Sequence, residues 1–258
     1  MKIKIAILGS TGSIGKSTIK IIKDNPKNFD VVLLTANNNY KELAKQANEL
    51  KAKNLIINNP KILEKLKNKI KNKNIKIHED LKNFSNKNKK KIDYTMCSIS
   101  GLSGLQPTLE AIKFSKKVAI ANKESIICGW SLINKKLKKY KTNFIPVDSE
   151  HYSIWNLVQD YKNSEIEEVI ITASGGPFLN LPINDFKYIR VKDAINHPNW
   201  RMGKKISVDS ATMMNKVFEV IEALKIFKID KKKFKILIHP KSYVHAIIKF
   251  NNGLTKIL

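Results

Sequence analysis

The sequence predicts an α/β fold, a doubly wound parallel sheet followed by a second α/β domain, on three observations. Short apolar runs alternate with amphipathic stretches along the first half of the chain. A glycine-rich turn separates the first such pair, and the character of the chain changes near Pro146. Strands that alternate with helices run parallel, because each helix carries the chain back across the sheet before the next strand begins.

The elements follow in order. Residues 3–8 form a short apolar strand, 9–15 a turn, and 16–24 a helix with Ile19 and Ile22 on one face, ended by Pro26. A strand at 31–35, a helix at 41–50 and a strand near 54–57 come next. A helix at 61–70, a strand at 75–77, a polar connection at 83–91 and a strand near 94–98 continue the pattern, and a helix at 107–114 and a strand at 117–121 extend it. The strand-like segment 144–147 leads to a domain boundary, giving domains 1–147 and 148–258. The second domain carries a strand at 168–172, a long helix after Ser210, and strands at 235–239 and 243–250 of one sheet, joined through Pro240. The chain stops at a strand-like 256–258 with no closing helix or cap, which predicts further structure beyond it.

Composition sets the outer bounds. With 258 residues, 42% of them hydrophobic, the chain can bury the cores of two ordinary α/β domains. No apolar run approaches the ~20 residues of a membrane span, and the first strand leads into a loop and not a signal-peptide cleavage site, which predicts a soluble, cytoplasmic protein. Cys97 and Cys128 lack CxxC spacing and are expected to be reduced and structural. A net charge of +26 raises nucleic acid or an anionic membrane as partner. The lysines, however, are scattered, and the dense stretch 61–91 has no interleaved aromatic platform, so we expect neither partner. The basic field favours phosphorylated substrates and cofactors.

The turn reads Gly9-Ser10-Thr11-Gly12-Ser13-Ile14-Gly15, directly after a strand and before a helix, the context of a Rossmann-like dinucleotide site. Its glycines let the backbone approach a pyrophosphate held by the amides of the following helix. The spacing is GxxGxxG and not GxGxxG. Gly15-Lys16-Ser17 also matches the end of a P-loop, but the leading glycine of that motif would stand at Ser10. A merely structural glycine turn is a third reading. At the end of the second strand, Thr35-Ala36-Asn37-Asn38-Asn39 holds no acid, which favours NADP over NAD, and no Lys or Arg, which leaves a 2′-phosphate without an obvious partner.

Asp148-Ser149-Glu150-His151 follows a strand, so two carboxylates could point the same way from an extended segment and suit a hard divalent cation. The alternative is a helix N-cap with acids in its first turn. If a helix starts near Ser210, Asn215 and Glu219 share a face at i, i+4 with Lys216 and Glu222 flanking, while Val217, Ile221 and Leu224 form the buried stripe. The alternative is an ordinary Lys216–Glu219 surface pair. Ser174-Gly175-Gly176-Pro177 after a strand has the form of an anion nest. The segment His197-Pro198-Asn199-Trp200-Arg201-Met202-Gly203 reads either as a lid or as a packed loop. His78 is expected at the surface and His239 in a structural place; His245 is open, and His151 is either a metal ligand or a hydrogen-bond partner.

Taken in order, the glycine turn, Ala121-Asn122-Lys123-Glu124-Ser125, Asp148-Ser149-Glu150-His151, Ser174-Gly175-Gly176-Pro177-Phe178, His197-Pro198-Asn199-Trp200 and residues 205–216 strongly resemble the 1-deoxy-D-xylulose 5-phosphate reductoisomerases. The resemblance implies an NADPH- and divalent-metal-dependent (Mg²⁺ or Mn²⁺) rearrangement and reduction of 1-deoxy-D-xylulose 5-phosphate to 2-C-methyl-D-erythritol 4-phosphate, in non-mevalonate isoprenoid biosynthesis, by a homodimer. It implies Asp148, Glu150 and Glu219 as metal ligands, with Lys123 also in the catalytic set. Lys123, Ser149, Glu150, Asn215, Lys216 and Glu219 would bind substrate oxygens, while Ser174, Ser210, Asn215 and Lys216 would hold the phosphate, with His197 nearby and Trp200 on a lid. Ser10, Thr11, Gly12, Ser13, Ile14, Asn37, Asn38, Asn39, Asn122, Glu124 and Gly203 would contact NADPH. The family often has a glycine and a lysine where this chain has Asn37 and Asn38, and it carries a C-terminal helical domain before which this chain ends. An NADPH-binding fragment without chemistry is therefore the alternative.

Overall fold

The computed structural model describes residues 1–88, 90–198 and 203–258, which form two compact units, Met1–Val147 and Asp148–Leu258. In the first unit the elements run β1 (Ile3–Leu8), α1 (Ser13–Asp24), β2 (Phe29–Ala36), α2 (Tyr40–Glu49), β3 (Asn54–Ile57), α3 (Pro60–Lys69), β4 (Lys76–His78), α4 (Leu81–Lys87), β5 (Ile92–Cys97), α5 (Leu105–Phe114), β6 (Ser115–Ile120), α6 (Lys123–Tyr140) and β7 (Asn143–Pro146). The strands lie in the order β4-β3-β2-β1-β5-β6-β7, and every pairing is parallel. Helices cover both faces of such a sheet, which is why Ile5, Ala6, Ile7 and Leu8 are all buried and β1 reads as a continuous apolar run. The direction of winding reverses between β1 and β5, opening a crevice at their carboxyl ends.

Short polar side chains start the helices. Asn39 accepts from the Glu42 amide at 3.1 Å, Asn59 from the Lys61 amide at 3.0 Å ahead of Pro60, and Asp80 from the Asn83 amide at 2.6 Å, each satisfying an amide that the helix leaves unpaired. Two helices depart from the expected pattern. Residues 81–87 form α4 and not a polar connection; Phe84, its one buried residue, stacks edge-on against Phe114 at 5.3 Å, and a single anchor leaves no periodic stripe in the sequence. The 18-residue α6 buries Ile126, Gly129, Ile133 and Leu137, a spacing of helical period that would have revealed it. His78 is half-buried, 2.8 Å from Asn54, and not a free surface group. Cys97 is buried, and desolvation pushes its thiol up to about 12. Cys128 is exposed on α6, which corrects the expectation that both cysteines are structural.

The second unit runs α7 (Ser149–Leu157), β8 (Ile166–Ala173), α8 (Val191–Ala194), α9 (Lys204–Ala211), α10 (Met214–Phe227), β9 (Phe234–Ile238), β10 (Ala246–Phe250) and β11 (Thr255–Ile257). Its sheet has the order β11-β10-β8-β9, with β9 parallel to β8 and the other pairs antiparallel. The last two expected strands thus share a sheet but are separated by β8, and β10 starts only at Ala246. Ile154, Val169, Ile171, Ala223, Ile248 and Phe250 pack its core. The long helix expected after Ser210 is α10, which starts at Met214 and not near Ser210, because α9 runs to Ala211 and Met213 takes a left-handed φ of 59° between the two. The expected buried stripe is also overturned: α10 buries Lys216, Glu219, Glu222 and Ala223, whereas Val217 is 47% exposed. Among the described residues no helix is long and apolar enough to cross a membrane.

Candidate functional site

The glycine turn is held from both sides. Thr35 Oγ1 accepts from the Gly9 amide at 3.0 Å, and the Thr35 carbonyl accepts from the Ser10 amide at 2.9 Å. Gly9 has φ of +81°, and a Cβ at Gly15 would stand 2.3 Å from the Gly9 carbonyl oxygen. Glycine is therefore a steric demand where the first turn of α1 presses on the loop. Ser10 is fully buried, its hydroxyl donating to Gln46 Oε1 at 2.7 Å and its carbonyl accepting from Gln46 Nε2 at 3.2 Å, so the residue named as a cofactor contact faces inward.

Beside the turn lies a cavity of about 530 Å³, lined by Gly9, Thr11 and Gly12, by Asn37 from the end of β2, by Asn58, and by residues of α4, α5 and the loop after β5. Ser13 and Ile14 open α1 outside that lining. Asn38 and Asn39 are otherwise engaged: Asn38 Oδ1 accepts from Asn59 at 2.8 Å, and Asn39 caps α2. Asn122 caps α6, accepting from the Ser125 amide at 2.6 Å and donating to the carbonyls of Ile99 and Gly101. Its side chain is thus engaged within the protein, between the start of α6 and the loop after β5. Lys123 is buried and Glu124 half-buried in the first turn of α6. Gly203 belongs to the second unit as the N-cap of α9. Trp200 lies outside the described residues.

In the second unit the two carboxylates of the Asp148 motif leave the start of α7, with Asp148 as N-cap and Glu150 in the first turn. The helix N-terminus, and not an extended segment, is thus the local structure. The carboxylates still converge: oxygens of Asp148, Glu150 and Glu219 lie within 4.8 Å of one another. Glu219 is 2% exposed on its side chain and ion-pairs with Lys216, whose Nζ also stands 3.3 Å from Glu150 Oε1. The Lys216–Glu219 pair therefore exists but is buried. Asn215 Nδ2 donates to Glu219 Oε1, and Ser149 Oγ donates to Glu150 at 2.9 Å. Burial alone would raise the Glu150 carboxyl; His245, its Nδ1 3.7 Å away, together with Asp148, Lys216 and Ser149 holds it well below the usual range. The same contact raises His245.

A second grouping, Asp148 with His151 and Glu222, has the same compactness, and either could hold a metal ion by its geometry. His151 is wholly buried and its Nε2 donates to the Glu219 carbonyl at 2.8 Å, while Nδ1 lies 3.6 Å from Glu222 and 3.8 Å from Asp148. It ties α7 to α10 beneath the carboxylates. Three oxygen donors match a hard cation better. Glu222 and His245 were the groups whose parts in this cluster the sequence left open, since both reach it only through packing.

Ser174 Oγ lies 3.1 Å from His197 Nε2 and accepts from the Gly176 amide at 3.3 Å. Burial lowers the His197 imidazole. Gly175 and Gly176 take φ of +86° and +72°, and a Cβ at Gly176 would meet the Ser210 carbonyl oxygen at 2.7 Å. The glycine pair thus brings the Ser174 loop against the end of α9, two residues before α10 begins with Asn215 and Lys216 in its first turn.

Known proteins resemble this chain along its whole length. Residues 5–129 match the family described as 1-deoxy-D-xylulose 5-phosphate reductoisomerase, and residues 144–227 match the C-terminal domain of the same family. A reductoisomerase of Pelagibacter ubique is 59% identical over 99% of this chain and 66% of its own length, and that of Phocaeicola vulgatus is 39% identical over 99% and 67%. The enzyme of Zymomonas mobilis in complex with NADPH superposes with a TM-score of 0.89 at 36% identity, over 100% of this chain and 66% of that one. A reductoisomerase in complex with NADPH, fosmidomycin and magnesium gives 0.88 at 34% identity, over 99% and 65%. The chain spans about two thirds of the length of the curated relatives it matches. With a relative matched over that span and both halves aligned to one family, the chain belongs to the 1-deoxy-D-xylulose 5-phosphate reductoisomerase family.

Proposed function

We propose that this protein catalyses the NADPH- and divalent-metal-dependent rearrangement and reduction of 1-deoxy-D-xylulose 5-phosphate to 2-C-methyl-D-erythritol 4-phosphate. The observation that carries this reading is the convergence of Asp148, Glu150 and Glu219 within 4.8 Å around Lys216. The donor set is all carboxylate oxygen, which fits Mg²⁺ or Mn²⁺. The glycine turn fits a dinucleotide, since its backbone packs where side chains at Gly9 and Gly15 would collide.

A divalent cation held by these carboxylates would supply Lewis-acid polarisation of a carbonyl and its neighbouring hydroxyl. NADPH bound at residues 9–15 would supply the hydride. The protein's own part is binding and orientation. Ser149, Asn215, Lys216 and Lys123 offer hydroxyl, amide and ammonium groups to the substrate's oxygens. Ser174, Ser210 and the first turn of α10 offer an anion site, where two hydroxyls, the Lys216 ammonium and the positive helix end suit a phosphate. Holding both ends of a short polyol aligns its reacting carbons, a large part of the rate gain in such reactions. Glu150, kept ionised by Lys216 and His245, retains its negative charge for the cation. Trp200 is assigned to the covering lid, and we place the protein in the cytoplasm as a homodimer.

The test follows NADPH absorbance in the presence of deoxyxylulose phosphate with Mg²⁺ or Mn²⁺. We expect turnover that stops on chelation and falls at least ~100-fold in Glu219→Gln, because losing a direct ligand should exceed the loss seen for outer partners. Turnover in a metal-free buffer would sink the mechanism. Because the chain covers only part of its relatives' length, the second reading is an NADPH-binding fragment, which predicts cofactor binding by calorimetry with no turnover under any metal.

A further inference from the structure

We propose that Lys82 recognises the 2′-phosphate of the dinucleotide in this chain, an assignment that rests on reading the first-unit cavity as the NADPH site. In a doubly wound sheet the adenosine ribose lies beside the end of the second strand. Here that end contributes Thr35, Ala36 and Asn37 to the cavity wall, and none is a cation. The next two residues are engaged elsewhere, Asn38 with Asn59 and Asn39 at the start of α2.

A phosphate monoester carries nearly two negative charges at neutral pH and needs a cation to leave water at little cost. Among the described residues lining the cavity Lys82 is the only cation. It stands on α4, the helix absent from the sequence expectations, and shares the cavity lining with Asn58 at the exit of β3. Among the described residues no hydrogen bond or ion pair engages the Lys82 side chain. The two acids of the wall are occupied: Asp80 accepts from the Asn83 amide at 2.6 Å, and Glu110 pairs with Lys113 at 2.7 Å. A flexible ammonium on an exposed stem can turn to a bound anion while losing little of its hydration. Asn37, also in the cavity lining, offers a neutral amide donor.

The experiment is direct titration of the full chain and of Lys82→Ala with four ligands: NADPH, NADH, 2′,5′-ADP and 5′-AMP, followed by calorimetry. We expect the Kd of NADPH and 2′,5′-ADP to rise about tenfold, as for a lost charge-assisted hydrogen bond, while NADH and 5′-AMP change less than about twofold. Lys82→Arg should restore the two phosphate-bearing ligands. Equal weakening of all four, or of none, overturns the assignment. So does a wild-type preference for NADH that Asp80→Asn abolishes, which would make Asp80 an acceptor for the ribose hydroxyl. Wild-type protein that binds none of the four overturns the cavity reading together with this assignment, and turnover need not be measured at all.

Discussion

Glu168 shows how far a single side chain's environment departs from its local sequence. It ends its reach between Lys235 of β9 and Lys249 of β10, pairing with the first and lying 2.9 Å from the second, and the two cations hold its carboxyl below the ordinary 4.5. A depressed carboxyl contributes stability above its unfolded value and loses it as pH falls through the folded value. Glu168→Gln should therefore melt about 2 °C below wild type at pH 7, the scale of a partly exposed pair in a protein of this size. The gap should close as the pH drops below about 4.5. A gap that persists undiminished at pH 3 in thermal melts would show that packing, and not charge, is responsible. The same reasoning separates residues that look alike in sequence. Asn37, Asn38 and Asn39 are three consecutive amides, yet one lines the cavity, one binds Asn59 and one caps a helix. Asparagine's short side chain serves either purpose, so only its neighbours decide which.

At the scale of elements, caps and turns carry most of what could be read in advance. The strand, glycine turn and helix of residues 3–24 are contiguous, and each demand is local: an apolar run, a loop with no room for Cβ atoms, and an amphipathic helix. The start of α6 is as local. Asn122 there accepts one amide hydrogen bond and donates to two carbonyls of the preceding loop, so Asn122→Ala removes a cap and strands two half-buried acceptors. We expect a loss of about 1–3 kcal/mol, seen as a lower urea midpoint with unchanged slope. An unchanged midpoint would mean water replaces the amide there. Helix α10 is the contrary case. Its buried face carries Lys216, Glu219 and Glu222 because His151 and Glu150 from α7 face it. Periodicity analysis assumes that the inward face is the apolar one, and a compensated charge cluster breaks that assumption.

For the whole molecule, the net charge of +26 is the feature with the widest reach. Screening shortens from ~30 Å at 0.01 M salt to ~3 Å at 1 M, so the affinity for the polyanion NADPH should weaken several-fold over that range, while adenosine, which is uncharged, should be insensitive. Salt-independent NADPH binding would show that the scattered lysines do not act on the cavity. Read alone, the sequence determined the α/β class, the parallel first sheet, the glycine turn, the family and the identities of the three carboxylates, all of which rest on contiguous patterns or on motifs in order. Tertiary structure alone decided that Asp148 and Glu150 meet Glu219 from the start of a helix, that a polar face of α10 is the buried one, that the Ser10 and Asn122 side chains are engaged by Gln46 and by the loop after β5, and that Lys82 stands on the cavity wall. The physical reason is range: sterics and hydrophobic period act within a few residues and leave a mark on the chain, whereas the partner of a buried charge or a polar side chain is chosen by elements far apart in sequence.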